Sequence, residues 1–172
     1  MSIETLCTGK FLELKREGRW EYVSRVRANG AAFIVAVTPR RELIMVEQYR
    51  IPVQTRTIEL PAGIVGDEAG FENEEILAAA LRELEEETGF RGQRAELLLE
   101  SATGAGLTSE RLHLVRIHDL VQVHDGGGVE GEDIIVHRIA LDEVHAWLQA
   151  QSARGLLLDA RIYAGLWFAE RD

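Results

Sequence analysis

The chain is predicted to be an α+β domain, a mixed sheet between helical layers (an α/β/α sandwich), with an antiparallel strand segment at its N-terminus. Three observations predict it. The first 49 residues read almost entirely as β-strand, one strongly amphipathic helix follows near the middle, and two helices close the chain. Strands and helices alternate irregularly, without repeats or an interdomain linker, as in a mixed-sheet fold. A length of 172 residues fits a single domain over 1–172, with about 1–28 forming the N-terminal strands.

Each element has its own signal. Phe11 to Lys15 alternates, Arg16-Glu17-Gly18 is a turn, and Trp20 to Val26 continues extended. Ala31 to Val37 is a continuous apolar run of the kind buried on both faces. Thr38 to Glu42 interrupts it and Leu43 to Tyr49 resumes, which predicts a hairpin. Thr57 to Leu60 leads into a Pro61-Ala62-Gly63 turn. Asn73 is positioned to cap a helix whose apolar stripe is Ile76, Leu77, Ala80, Leu81 and Leu84, and Gly89 stops it. Ala95 to Glu100, Arg111 to Ile117 and Ile134 to His137 read as strands, Asp125 to Gly128 as a flexible loop, and about 141–151 and 159–170 as helices.

Composition narrows the function. Hydrophobic residues make up 46% of the chain, an ordinary globular value, and no apolar run is long enough to span a bilayer, so no membrane partner is expected. The net charge of −10 argues against a nucleic-acid partner. The single cysteine, Cys7, excludes an internal disulfide and a zinc ribbon, and the first residues lack a signal-peptide pattern; the expected location is cytoplasmic. The five histidines show no i,i+4 pair and are expected to be structural or at the surface, Trp147 and Trp167 to be core, and Trp20 and Tyr22 to pack.

The acidity is local. Between Gly66 and Phe90 stand nine acids and one base, Arg82, which accounts for −8 of the −10. A helix C-terminus favours cations, yet this one carries Glu85, Glu86 and Glu87 in its last turn. Glu83 and Glu87 lie at i,i+4 and Glu83 and Glu86 at i,i+3, so they repel by about 0.2–0.5 kcal/mol per pair. Two readings fit: an acidic solvated face, or an all-oxygen site for Mg²⁺ or Mn²⁺, cations that in turn suit phosphate substrates.

At these residues the chain resembles the Nudix family. Arg82-Glu83-Leu84-Glu85-Glu86-Glu87-Thr88-Gly89-Phe90 matches the second half of the Nudix box at every fixed position, and Glu74 stands with the required seven residues before Arg82. Glu68 occupies the place of the box glycine; Gly63, in Glu59-Leu60-Pro61-Ala62-Gly63, is identified as that glycine, with an insertion of 68 − 63 = 5 residues after it. Glu47-Gln48-Tyr49-Arg50 and Gly128 to Ile134 resemble nucleoside diphosphate sugar hydrolases, of which ADP-ribose and GDP-mannose pyrophosphatases are examples. Where ADP-ribose-type members carry a proline sixteen residues after the glycine that stands here as Gly89, this chain has Ala105, which favours a broader nucleoside diphosphate sugar hydrolase.

The resemblance implies the Nudix fold, Mg²⁺ with Mn²⁺ as a substitute, a homodimer joined by N-terminal strands, and hydrolysis of a nucleoside diphosphate sugar or ADP-ribose. It implies that Glu83, Glu86, Glu87, Glu132 and the Ala62 carbonyl hold metal, with Arg82 orienting the glutamates. Arg50 is implied to reach the substrate with Glu59 in support, and Glu130, or Glu132 in its place, to be the catalytic base on a loop freed by Gly126-Gly127-Gly128. The alternatives are a non-catalytic nucleotide-sugar sensor, or an enzyme for nucleoside triphosphates, dinucleoside polyphosphates or CoA.

Overall fold

The computed structural model describes residues 2–27, 30–66, 74–128 and 133–171. The chain begins with an antiparallel three-stranded sheet of β1 (Glu4–Thr8), β2 (Leu12–Glu17) and β3 (Trp20–Arg25), in which Gly18 takes a positive φ to turn β2 into β3. β1 is more polar than the segments read as strands and carries no alternating apolar signal. Alternate residues of β2 stay in solvent, as do Phe11 just before it and Trp20 at the start of β3, so Trp20 does not pack into a core of this chain as expected. The sheet is tied to the main body through Val23, whose N–H donates to the Leu107 carbonyl and whose carbonyl accepts from Ser109 N–H.

The main body is built from β4 (Gly30–Ala36), β5 (Glu42–Arg50), β6 (Thr55–Glu59), β7 (Ala62–Val65), α1 (Ile76–Thr88), β8 (Phe90–Arg91), β9 (Arg94–Ala102), β10 (Arg111–His118), β11 (Val121–Gln122), β12 (Ile135–Ala140), α2 (Val144–Ala153), β13 (Leu157–Leu158) and α3 (Arg161–Ala169). One four-stranded sheet runs β7-β4-β10-β9 and another β12-β5-β6-β13. Each is mixed: β10 lies parallel to β4 and β13 parallel to β6, and the remaining pairs are antiparallel.

Strand alternation splits the core in two. Ala31, Phe33 and Val35 of β4 meet Val144 and Leu148 of α2 and Ile162 and Leu166 of α3; Ala32, Ile34 and Ala36 meet Ala79, Ala80 and Leu84 of α1. Helices therefore cover both faces of the sheet region, which is the α/β/α arrangement expected. Trp147 packs against the first cluster, but Trp167 is half exposed under the Arg171 guanidinium, so the expected core role holds for only one of them.

The expected β4–β5 hairpin does not form. The two strands meet only through the bridge Val37–Leu43 and then part into different sheets. The reason is edge occupancy: β4 is paired on both sides by β7 and β10, and β5 on both sides by β12 and β6. The corner is held by Thr38, whose N–H donates to the Glu42 carbonyl and whose carbonyl accepts from Arg41 N–H, with Arg41 in the left-handed region. The predicted Pro61-Ala62-Gly63 turn also runs on into a strand, β7. The helix capping residue Asn73 lies outside the described residues.

Candidate active site

The acidic helix α1 lies against β7 and β4, and its C-terminal end is satisfied locally. At its C-terminus Gly89 takes a positive φ and its N–H donates to the Glu85 carbonyl. The carbonyls of Glu86 and Glu87 accept from Gly128 N–H (3.1 Å) and Gly127 N–H (2.8 Å). A Cβ on Gly126 would stand 2.4 Å from the Thr88 carbonyl carbon, so the glycine run serves close docking on the helix end. That differs from the expected role of loop freedom: in place of the missing C-terminal cations, the helix end receives backbone N–H donors.

The glutamates are partnered as well. Arg82 stands among three of them, with Nη2 3.1 Å from Glu74, Nη1 2.8 Å from Glu86, and Nη2 3.1 Å from Glu83. Burial alone would lower the Arg82 pKa, but Glu74, Glu83 and Glu86 overcome it and hold the guanidinium charged. Glu85 points the other way and pairs with Arg91. Glu87, only 6% exposed, accepts the Ala62 N–H at 3.0 Å. Glu83 packs where Gly63 has no side chain: a Cβ there would lie 2.1 Å from the Glu83 Cγ and Cδ. Gly63 is thus the glycine that the acidic helix requires.

A cleft of about 510 Å³ brings Glu83 and Glu87 together with Ala62, Gly63, Arg50 and Glu59. Arg50 at the end of β5 is gripped by Glu59 at the end of β6, Nε to Oε1 at 2.7 Å and Nη2 to Oε2 at 2.6 Å. Glu59 is 3% exposed and also accepts from the Thr57 hydroxyl. The Glu59 hydrogen bond leads the causes that raise the Arg50 pKa, with Glu87 and Asp159 adding through space. The structure therefore gathers Arg50, Glu59, Ala62, Arg82, Glu83, Glu86 and Glu87 around one edge of α1. Glu130 and Glu132 lie outside the described residues.

Two arginine–carboxylate pairs of the cleft were assigned no site role above. Arg25 of β3 pairs with Glu110, and Arg161 of α3 pairs with Asp159. The Asp159–Arg161 pair is legible only as a charged break between the apolar runs of β13 and α3. Of the histidines, His137 bonds Glu47 and stacks on Trp147, and His145 bonds Glu170. His113 is buried with its Nδ1 unpaired among the described residues.

Carboxylate and carbonyl oxygens are the right chemistry for a hard ion, and the Gly63 gap lets Glu83 into the cleft beside Glu87. Among the described residues no three acids, histidines or cysteines yet converge as a finished cage. Arg82 draws on Glu83 and Glu86, and Ala62 N–H on Glu87. The donor set fits a cation that exchanges those hydrogen bonds for coordination.

An acidic helix edge, the glycine it requires and a clamped arginine thus face one cleft. The chain belongs to the NUDIX family: residues 28–166 match the NUDIX domain. The family generally uses divalent metals. The chain is 34% identical over 125 residues to the methanol dehydrogenase activator of Bacillus methanolicus, covering 72% of this chain and 65% of that protein. It is also 34% identical over 161 residues to the ADP-sugar pyrophosphatase of Mus musculus, covering 84% of this chain and 71% of that one. A solved structure described as an ADP compounds hydrolase shares the fold, with a TM-score of 0.74 over 99% of this chain and 90% of that chain, at 21% identity. Among the described residues no helix is long and apolar enough to cross a membrane.

Proposed function

We propose that the protein is an Mg²⁺-dependent pyrophosphohydrolase that cleaves the diphosphate of a nucleoside diphosphate sugar, ADP-ribose included, to a nucleoside monophosphate and a sugar phosphate. The observation that carries the reading is the meeting of Glu83 and Glu87 with the clamped Arg50 in one cleft. The similarity to an ADP-sugar pyrophosphatase supports the substrate class.

Glu83, Glu86, Glu87 and the Ala62 carbonyl would hold the metal, with Glu132 as a further ligand and Mn²⁺ as a substitute. Bound there, the ion neutralises charge on the phosphoryl oxygens and favours formation of the water nucleophile. Arg82 sets the directions of Glu83 and Glu86 by ion pairing. Arg50, unable to swing because Glu59 grips it, donates to the diphosphate. Glu130 takes a proton from the attacking water, whose oxygen bonds to one phosphorus as the P–O–P bridge breaks and the second phosphate leaves.

A homodimer is part of this reading. Phe11 at 63% and Trp20 at 53% exposure leave the N-terminal segment with apolar surface that a second copy would cover. A cytoplasmic location suits the free, exposed Cys7. The test is nucleotide release from a panel of nucleoside diphosphate sugars, ADP-ribose, nucleoside triphosphates, dinucleoside polyphosphates and CoA, with and without Mg²⁺. Mg²⁺-dependent monophosphate release from the sugars supports the reading; turnover of another class, or binding without turnover, replaces it.

A further inference from the structure

Asp159 and Arg161 form a second arginine clamp beside the first. β13 runs parallel to β6 with Leu158 opposite Ile58, and Asp159 N–H donates to the Ile58 carbonyl at 2.9 Å. Asp159 therefore stands at the same sheet end as Glu59, and the two carboxylates each grip an arginine. Arg161 gives Nε to Asp159 Oδ1 at 2.7 Å and Nη2 to Oδ2, and its own backbone N–H also donates to Oδ1 at 2.8 Å. Its guanidinium carbon sits 4.0 Å from the Phe33 ring centre, so the plane is fixed by stacking as well.

Arg50 and Arg161 are thus built alike. Each spends Nε and Nη2 on one carboxylate, and in each Nη1 has no hydrogen-bond partner among the described residues. Both line the same cleft as Glu83 and Glu87. A guanidinium held this way is fixed in direction although partly exposed, and its paired carboxylate offsets the repulsion between the two cations of the cleft. Two fixed N–H donors side by side suit an anion with two oxygen-bearing centres.

We propose that Arg161 is a second substrate-binding arginine, which acts with Arg50 to hold the two phosphoryl groups of a nucleoside diphosphate through their Nη1 donors. The assignment rests on the hydrolase reading above and names one more residue of its site. These contacts exist in bound substrate and transition state alike, so Arg161 sets KM more than kcat.

The test uses the full chain with two variants, R161K and the double variant D159N/R161Q, which avoids leaving the half-buried Asp159 carboxylate without its arginine. Steady-state kinetics with ADP-ribose and Mg²⁺ are read together with Tm and with calorimetric binding of α,β-methylene-ADP and of adenosine. The double variant is expected to raise KM and to weaken α,β-methylene-ADP about tenfold, with kcat within about twofold. R161K should fall between it and wild type, because lysine keeps the charge but not the fork. Adenosine, which lacks the phosphates, should bind as to wild type. Unchanged KM and unchanged α,β-methylene-ADP affinity in both variants would overturn the assignment. Should wild type turn over no nucleoside diphosphate sugar yet bind α,β-methylene-ADP in an Arg161-dependent way, the hydrolase reading fails and the arginine assignment stands.

Discussion

Gly63 and Glu83 occupy each other's space: a Cβ on the glycine would sit 2.1 Å from the glutamate's Cγ and Cδ. No rotation of a methyl relieves such a contact, so Gly63→Ala must move either β7 or the Glu83 side chain. We expect a small loss of Tm and a fall in kcat of roughly 100-fold, the scale of an ångström-sized misplacement of a reacting group. A Gly63→Ala variant of wild-type activity would show that Glu83 need not be where it is.

Arg82 is a bridge among three acids, with a side chain only 15% exposed. Removing it leaves those carboxylates to repel one another in a poorly solvated place. Arg82→Met is expected to cost about 3 kcal/mol of stability, as for other broken, mostly buried ion pairs. Urea unfolding checks this, and saturating divalent cation should restore part of the loss by taking over the neutralising role.

Glu47 gives the structure a pH-dependent element. Burial pushes its carboxyl up, but hydrogen bonds from His137 and Arg56 outweigh that and hold it below the ordinary glutamate range. A pKa lowered in the folded state stabilises the fold above the unfolded-state value and is lost as pH falls through the lower, folded value. Glu47→Gln should therefore be less stable than wild type by about 1–3 kcal/mol at neutral pH, and the gap should close in acid. Thermal melts across a pH series measure it, and a gap that widens in acid would contradict it.

Gly126 and Gly127 hold the end of α1 through left-handed backbone and close approach to Thr88 and Glu87. Gly126→Ala meets both obstacles and is expected to destabilise by roughly 1–3 kcal/mol, with hydrogen exchange rising at the last turn of α1. Gly155 also has a positive φ but open space around it, and its alanine variant should cost less.

Sequence carried much of this, and unevenly. The helix α1 was legible because thirteen residues repeat one periodicity and then break the charge rule at its end. Glu83 and Glu87, with Arg50 and Glu59, were legible through the resemblance, and these four line one cleft, whereas Glu86 turns to Arg82. The split of β4 and β5 into two sheets was not legible, because it depends on which distant strands claim their edges. The same holds for Asp159 and Arg161: their placement comes from β13 joining β6, a two-residue pairing 100 residues apart in sequence. The glycines at 126–128 were legible as glycines, but the partner they dock against was not.

The most direct test of the central claim is monophosphate release from a panel of nucleoside diphosphate sugars and ADP-ribose by wild type and Glu87→Gln, each with and without Mg²⁺. Wild type is expected to release monophosphate only with Mg²⁺, and a correctly folded Glu87→Gln protein to lose about 100-fold or more of that activity. Turnover that survives the substitution, or that needs no divalent cation, would contradict it.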